Sequence, residues 1–212
     1  MKKLAMFLTV LVMAIAITGC GAKEEDGEMI ELPNSGDSTS KSDGTEESEK
    51  VNIVIDVENY GEITAELYSD VAPITVENFV KLVNEGFYDG LTFHRIIDGF
   101  MIQGGDPKGD GTGGSEETIK GEFSSNGVTN NITHARGVLS MARSTENDSA
   151  SSQFFIMQSD SKSLDGDYAA FGRVTSGMEI VDSICKDIKV QDNNGTVNAD
   201  DQPKINSIKI VE

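Results

Sequence analysis

Fourteen residues carry the densest chemistry in the chain: Phe93 to Asp106, FHRIIDGFMIQGGD. They set one arginine and one glutamine among large apolar residues, and a glycine-rich loop, GDGTGG (109–114), follows almost at once. Arginine stays protonated and presents several N–H donors in a planar fork. Alternation of Phe93, Arg95 and Ile97 predicts a strand that puts the guanidinium on one face. A turn at Asp98-Gly99 then returns the chain through Phe100, Met101 and Gln103. On these residues alone, a sheet edge carrying one solvated arginine also fits.

The rest of the composition narrows the chemistry. A net charge of −19 over 212 residues argues against nucleic acid, because phosphate binding needs clustered lysine and arginine. It argues equally against electrostatic attraction to anionic lipid. Two histidines and one cysteine, Cys185, show no metal-ligand spacing, so no metal or other cofactor is expected. The second cysteine, Cys20, belongs to the leader, so no disulfide framework is expected.

That leader starts with Lys2 and Lys3 and continues in an apolar run from Leu4 to Ile17. The run is shorter than the roughly 20 residues that span a bilayer, which favours a signal peptide over 1–19. Small residues before Cys20 resemble a bacterial lipobox, in which the cysteine is acylated and becomes the mature N-terminus. A plain signal peptide with a chance cysteine, or an uncleaved anchor, are the other possibilities. Residues 21–50 hold ten acids and three lysines with few apolar residues, the composition of a flexible, self-repelling tether. Setting aside the +2 of the leader and the −7 of the tether leaves −14 for residues 51–212. The expected place is the outer face of a cell membrane, held by lipid on Cys20.

From residue 51 the hydrophobic pattern is mostly that of short strands. Val51 to Val57 and Glu62 to Tyr68 alternate around an Asn59-Tyr60-Gly61 turn, a hairpin. Pro73 opens a helix that Gly86 closes. Short strands are expected in His134–Arg143, Gln153–Met157 and Tyr168–Val174, a second helix over 177–186, and a polar loop over 191–202. A last alternating strand, Lys204–Val211, is expected to pair with the first. Alternation puts Phe154 and Ile156 on the face opposite Phe155 and leaves open which of the two faces the core. His94 is expected on the face opposite Arg95, as a satisfied core histidine. His134 should sit in a loop or at a strand start, and Cys185 and Met141 should be buried.

The blocks FHRIIDGFMIQGGD, GDGTGG, GVLSMA, SQFFI and LDGDYAAFG, in that order, resemble the cyclophilin family of peptidyl-prolyl cis-trans isomerases. With the flanking hairpin, helix and last strand, the resemblance covers about residues 51–212. It implies a mainly β fold, a closed eight-stranded antiparallel barrel capped by two helices, with a groove on the barrel's outer face. Position by position, it implies that Arg95 is the catalytic arginine. Phe100, Met101, Phe155 and Leu164 fall at the pocket for a proline ring, and Gln103 at a polar contact to substrate. Ala142 and Arg143 fall on the strand that pairs with the peptide backbone, and Gly111 and Gln153 at further groove positions. Tyr168 stands where many relatives carry histidine. Ser163 stands where some carry a tryptophan that contacts cyclosporin, so weak cyclosporin binding is expected. Arg143 adds a positive charge to the rim that would favour acidic residues before proline.

The implied reaction suits these residue types. Rotation about an amide is opposed by a barrier of ~18–20 kcal/mol because resonance must be broken. A catalyst needs only to bind the twisted bond better than either planar isomer. The implied partners are proline-containing unfolded or exported polypeptides, handled by a monomer. A holdase that grips such chains, with turnover incidental, is the competing function; intact Arg95 favours the enzyme.

Overall fold

The structure is a computed structural model and describes residues 50–212. The expected signal peptide, Cys20 and all but the last residue of the tether lie outside the described residues. Strand β1 (Val51–Val57) buries every second side chain, Ile53, Ile55 and Val57, and β2 (Gly61–Leu67) does the same with Ile63, Ala65 and Leu67. The two pair antiparallel with Val51 opposite Leu67. Asn59 turns the hairpin at φ 64°, a left-handed conformation that asparagine tolerates better than most residues.

Helix α1 (Pro73–Asn84) begins on a proline and buries Val76, Phe79, Leu82 and Val83. Its first turn contains no acidic residue and its N-cap makes no side-chain bond. A remote carboxylate does that work. Glu122 accepts from Ile74 N at 3.1 Å, Thr75 N at 2.8 Å and Thr75 Oγ1 at 2.7 Å, in a buried setting. The orphan N–H groups and positive end of the helix are thereby satisfied by a residue no local pattern would nominate.

The remaining strands are β3 (Phe93–Ile97), β4 (Met101–Gly104), β5 (Val138–Met141), β6 (Phe154–Met157), β7 (Ala170–Ser176) and β8 (Ile205–Val211). Helix α2 (Met178–Asp187) lies between β7 and β8 and buries Val181, Ile184 and Cys185. All strand pairs are antiparallel, in the order β3-β4-β6-β5-β7-β2-β1-β8.

The expected closure of the barrel does not occur. The sheet is a curled, open half-barrel whose ends, β3 and β8, share no ladder; Thr92 and Lys204, just outside them, form one isolated bridge. The cause is that other backbone occupies the free edge of β3. Ile96 N donates to Gly195 O at 2.8 Å, and Val197 N donates to His94 O at 3.1 Å. The polar loop over 191–202 thus takes the place that β8 would fill in a closed barrel, and spares β3 an exposed edge.

Two apolar clusters lie on opposite faces of the sheet. The larger holds Phe79 against Tyr88, Phe154 and Phe171 at centroid distances of 4.9, 5.4 and 5.2 Å. The smaller holds Met101, Val138, Phe155, Met157 and Ala170, with Phe100, Leu164 and Tyr168 half-buried against it. Alternation along β6 sends Phe154 and Ile156 to the first and Phe155 to the second. In β3 the alternation fails: Phe93 joins Ile96 in the large core, while Arg95 is half-buried on the other side. A register shift between Phe93 and Arg95 accounts for it, since a bulge adds a residue and re-aims the side chains that follow.

Candidate active site

The bulge in β3 delivers Arg95 to the rim of a groove of about 460 Å³ over the smaller apolar cluster. Phe100, Met101, Phe155, Leu164 and Tyr168 line its apolar part, and Gln103, Gly111, Ala142 and Arg143 also border it. Gln153 borders an adjoining hollow of about 350 Å³ that shares Gln103, Gly111, Ala142 and Arg143. The structure therefore brings together every groove residue named from the sequence. Ala142 and Arg143 stand one and two residues beyond the end of β5, not within it, and the Ala142 N–H is already given to Gln153 O at 2.9 Å.

Arg95 is held on two sides. Its Nε donates to Asn194 O at 2.8 Å and Nη2 to Asn194 Oδ1 at 3.4 Å, while Nη1 donates to Gln103 Oε1 at 3.1 Å. Of the five guanidinium N–H groups, two have no partner among the described residues, one on each terminal nitrogen. Arg95 forms no ion pair among the described residues. Burial lowers its proton affinity, and nearby Tyr168 and Asp192 act against that. An arginine remains charged under either influence.

The amides behind Arg95 form a relay. Gln103 Nε2 donates to Gln153 Oε1 at 2.9 Å, and Gln153 Nε2 donates to Gly113 O at 2.7 Å. The glycine-rich loop at its far end is wound around one carboxylate. Asp106, buried, accepts from Lys108 N at 2.8 Å, Asp110 N at 3.2 Å and Gly111 N at 2.6 Å. A Cβ on Gly113 would collide with Asp106 Oδ1, which explains a glycine there.

Asn194, Thr196 and His94 also line the groove and were not anticipated from the sequence. Asn194 is presented by a tight turn in which Asp192 accepts from Asn194 N at 2.9 Å, Thr196 N at 3.1 Å and Thr196 Oγ1 at 3.0 Å. The Asn193-Asn194-Gly195 run marks a turn, but nothing in it points to a partner 99 residues away. His94 is buried, as expected, but it is not satisfied: neither ring nitrogen has a hydrogen-bond partner among the described residues. Burial holds its pKa down, with Asp106 acting against it and Arg95 with it. Its ring underlies Gly111 at the edge of the groove.

His134 precedes β5 and is wholly buried beneath the pocket. Its Nδ1 lies 3.0 Å from Asp165 Oδ1 and its Nε2 3.0 Å from Ser140 Oγ. The ring stacks on Phe155 with centroids 6.1 Å apart and meets the edge of Tyr168 at 6.5 Å. Burial lowers its pKa although Asp165 opposes the shift. Cys185 is remote from the groove, and burial pushes its thiol up to about 12, which leaves it an unreactive packing residue. No group of three or more His, Cys, Asp or Glu is placed to hold a metal among the described residues.

A cationic fork, held by neutral amides, borders an apolar slot. The family model described as cyclophilin type peptidyl-prolyl cis-trans isomerase matches residues 52–212. Peptidyl-prolyl cis-trans isomerase B of Bacillus subtilis is 47% identical over 140 residues, covering 64% of this chain and 94% of that protein. A peptidyl-prolyl cis-trans isomerase of Helicobacter pylori is 47% identical over 128 residues, covering 59% of this chain and 76% of that one. The crystal structure of a Cryptosporidium parvum cyclophilin type isomerase superimposes with a TM-score of 0.67 at 30% identity, covering 77% of this chain and 98% of that one. The same protein in the presence of the dipeptide ala-pro gives 0.67 at 31% identity, covering 76% of this chain and 99% of that one. The chain belongs to the cyclophilin-type peptidyl-prolyl cis-trans isomerases, enzymes that act on proline-containing peptides.

Proposed function

We propose that the enzyme turns X-Pro bonds of exported polypeptides at a membrane surface, with Arg95 as the catalytic residue. The observation that carries the assignment is the pair of uncommitted N–H groups on Arg95 beside the apolar slot. As the bond twists, resonance is lost and the prolyl nitrogen regains its lone pair. A donor fixed beforehand stabilises that state more than either planar isomer. Phe100, Met101, Phe155 and Leu164 hold the ring while the chain before it rotates. Gln103 fixes the guanidinium through Nη1, and the relay to Gly113 keeps Gln103 from turning away. No covalent step or cofactor enters. A pure holdase would have no use for those free donors, so the enzyme is favoured. An aggregation assay with Arg95→Ala distinguishes them, because a holdase keeps its protection after turnover is gone.

The proposal for location rests on the chain before residue 51: the short apolar leader, the lipobox-like Ile17-Thr18-Gly19-Cys20, and the acidic spacer. No helix among the described residues is long and apolar enough to cross a membrane. Lipid on Cys20 would anchor a monomeric domain outside the cytoplasm. Fractionation tests this directly: wild type should follow membranes and label with fatty acid, and Cys20→Ala should do neither.

A further inference from the structure

Arg143 stands on the groove rim, where a cation could attract acidic residues next to the proline. Its contacts argue for a different task. The guanidinium carbon lies 5.0 Å from the ring centroid of Phe123 and 5.0 Å from that of Tyr168. Both fall within the ~6 Å at which a cation is attracted to an aromatic face. Its Nε donates to Asp167 O at 2.8 Å, and Nη1 donates to Ser144 O at 2.9 Å and Thr145 O at 3.4 Å. No carboxylate pairs with it among the described residues.

The two rings differ in freedom. Phe123 is only 1% exposed and belongs to the main core, so it cannot yield. Tyr168 is half-buried, and its hydroxyl makes no hydrogen bond among the described residues. It packs edge-on against Phe155 with centroids 5.9 Å apart at 82°. Phe123, Arg143, Tyr168 and Phe155 therefore form one continuous series of contacts, from the buried core to the wall of the apolar slot. Only a planar cation can lie between two rings and still reach backbone carbonyls from its edge.

We propose that Arg143 is a positioning residue that clamps Tyr168 against Phe155 and so sets the width of the proline pocket, instead of selecting substrates by charge. This rests on the isomerase reading of the same groove. The test is a coupled-protease isomerase assay of the full chain on peptides with Glu, Ala or Lys before proline. Wild type, Arg143→Ala, Arg143→Lys, Tyr168→Ala and the Arg143→Ala/Tyr168→Ala double variant are compared, with thermal melts alongside.

A clamp predicts that Arg143→Ala raises KM about fivefold with a smaller fall in kcat, the loss of one half-buried cation–aromatic contact. Arg143→Lys should be impaired nearly as much. The double variant should be no worse than Tyr168→Ala, and the preference between Glu and Lys peptides should not move. Additive losses in the double variant would overturn the inference. So would a Glu preference that disappears in Arg143→Ala and returns in Arg143→Lys. If Arg143→Ala loses its cooperative melt, Arg143→Lys decides alone: wild-type KM overturns the clamp and a raised KM supports it. A wild type that turns over none of the peptides would instead remove the isomerase reading itself.

Discussion

Arg95 Nε and the backbone carbonyl of Asn194 are 2.8 Å apart, although 99 residues separate them in the chain. The contact exists because the loop over 191–202 lies along the free edge of β3, the same feature that keeps the sheet open. The loop's shape depends on Gly195, whose φ of 82° and close approach to Ile96 O exclude a side chain. Gly195→Ala should move the Asn194 carbonyl off Arg95 and lower kcat/KM about 10- to 100-fold, the usual result of misplacing a catalytic group by an ångström. Asn194→Ala, which keeps the carbonyl and loses only the 3.4 Å side-chain bond, should cost far less. Equal activities in the two variants would contradict this.

Glu122 predicts a stability effect with little effect on turnover. It caps α1 from a distance and is buried with three donors. Glu122→Ala strands Thr75 Oγ1 and two N–H groups in an apolar setting, at a cost of about 2–4 kcal/mol. Denaturant unfolding should show that loss, while kcat/KM per folded molecule should stay near wild type because no groove residue moves.

Mild acid should destabilise the fold through its two buried histidines. His94 and His134 both have pKa values lowered by burial, so the unfolded chain binds protons more readily than the folded one. The stability they contribute is complete above the unfolded histidine pKa of about 6.5 and declines as pH falls below it. Melting temperature should therefore drop between pH 7 and pH 5. His134→Phe should flatten that slope, and an unchanged slope in both His134→Phe and His94→Phe would refute the assignment.

Ser163 is exposed and shares a hydrogen bond of 3.1 Å with Ser161. It offers no ring beside Leu164 on which a cyclic peptide could lie. Cyclosporin should inhibit weakly, and Ser163→Trp should tighten inhibition. A low-nanomolar inhibition constant for the wild type would contradict that expectation.

The strands and helices were legible because their signals are local. Alternation in β1 and β2 and the proline and glycine around α1 each act within a few residues. The groove was legible through motifs that keep their order: Arg95, Phe100, Gln103, Phe155 and Tyr168 converge on it. What stayed hidden depends on contacts between distant segments. The bulge at Phe93 reverses the side expected from alternation, and no pattern of residue types in FHRII reveals it. Glu122 looked like a residue of a polar connection. The openness of the sheet follows from a loop competing with β8 for the edge of β3, an outcome set by tertiary packing and not by strand propensity. The unsatisfied ring of His94 is likewise a product of how the Asp106 loop folds over it.

The central claim is that a prearranged guanidinium, and no covalent group, lowers the rotation barrier. The measurement that reaches it most directly is kcat/KM of Arg95→Ala on an X-Pro peptide, with a melting curve of the same sample. Loss of a preorganised donor to a transition state costs at least about 100-fold. The account predicts a fall of that size with an unchanged melt; a folded Arg95→Ala within about threefold of wild type would contradict it.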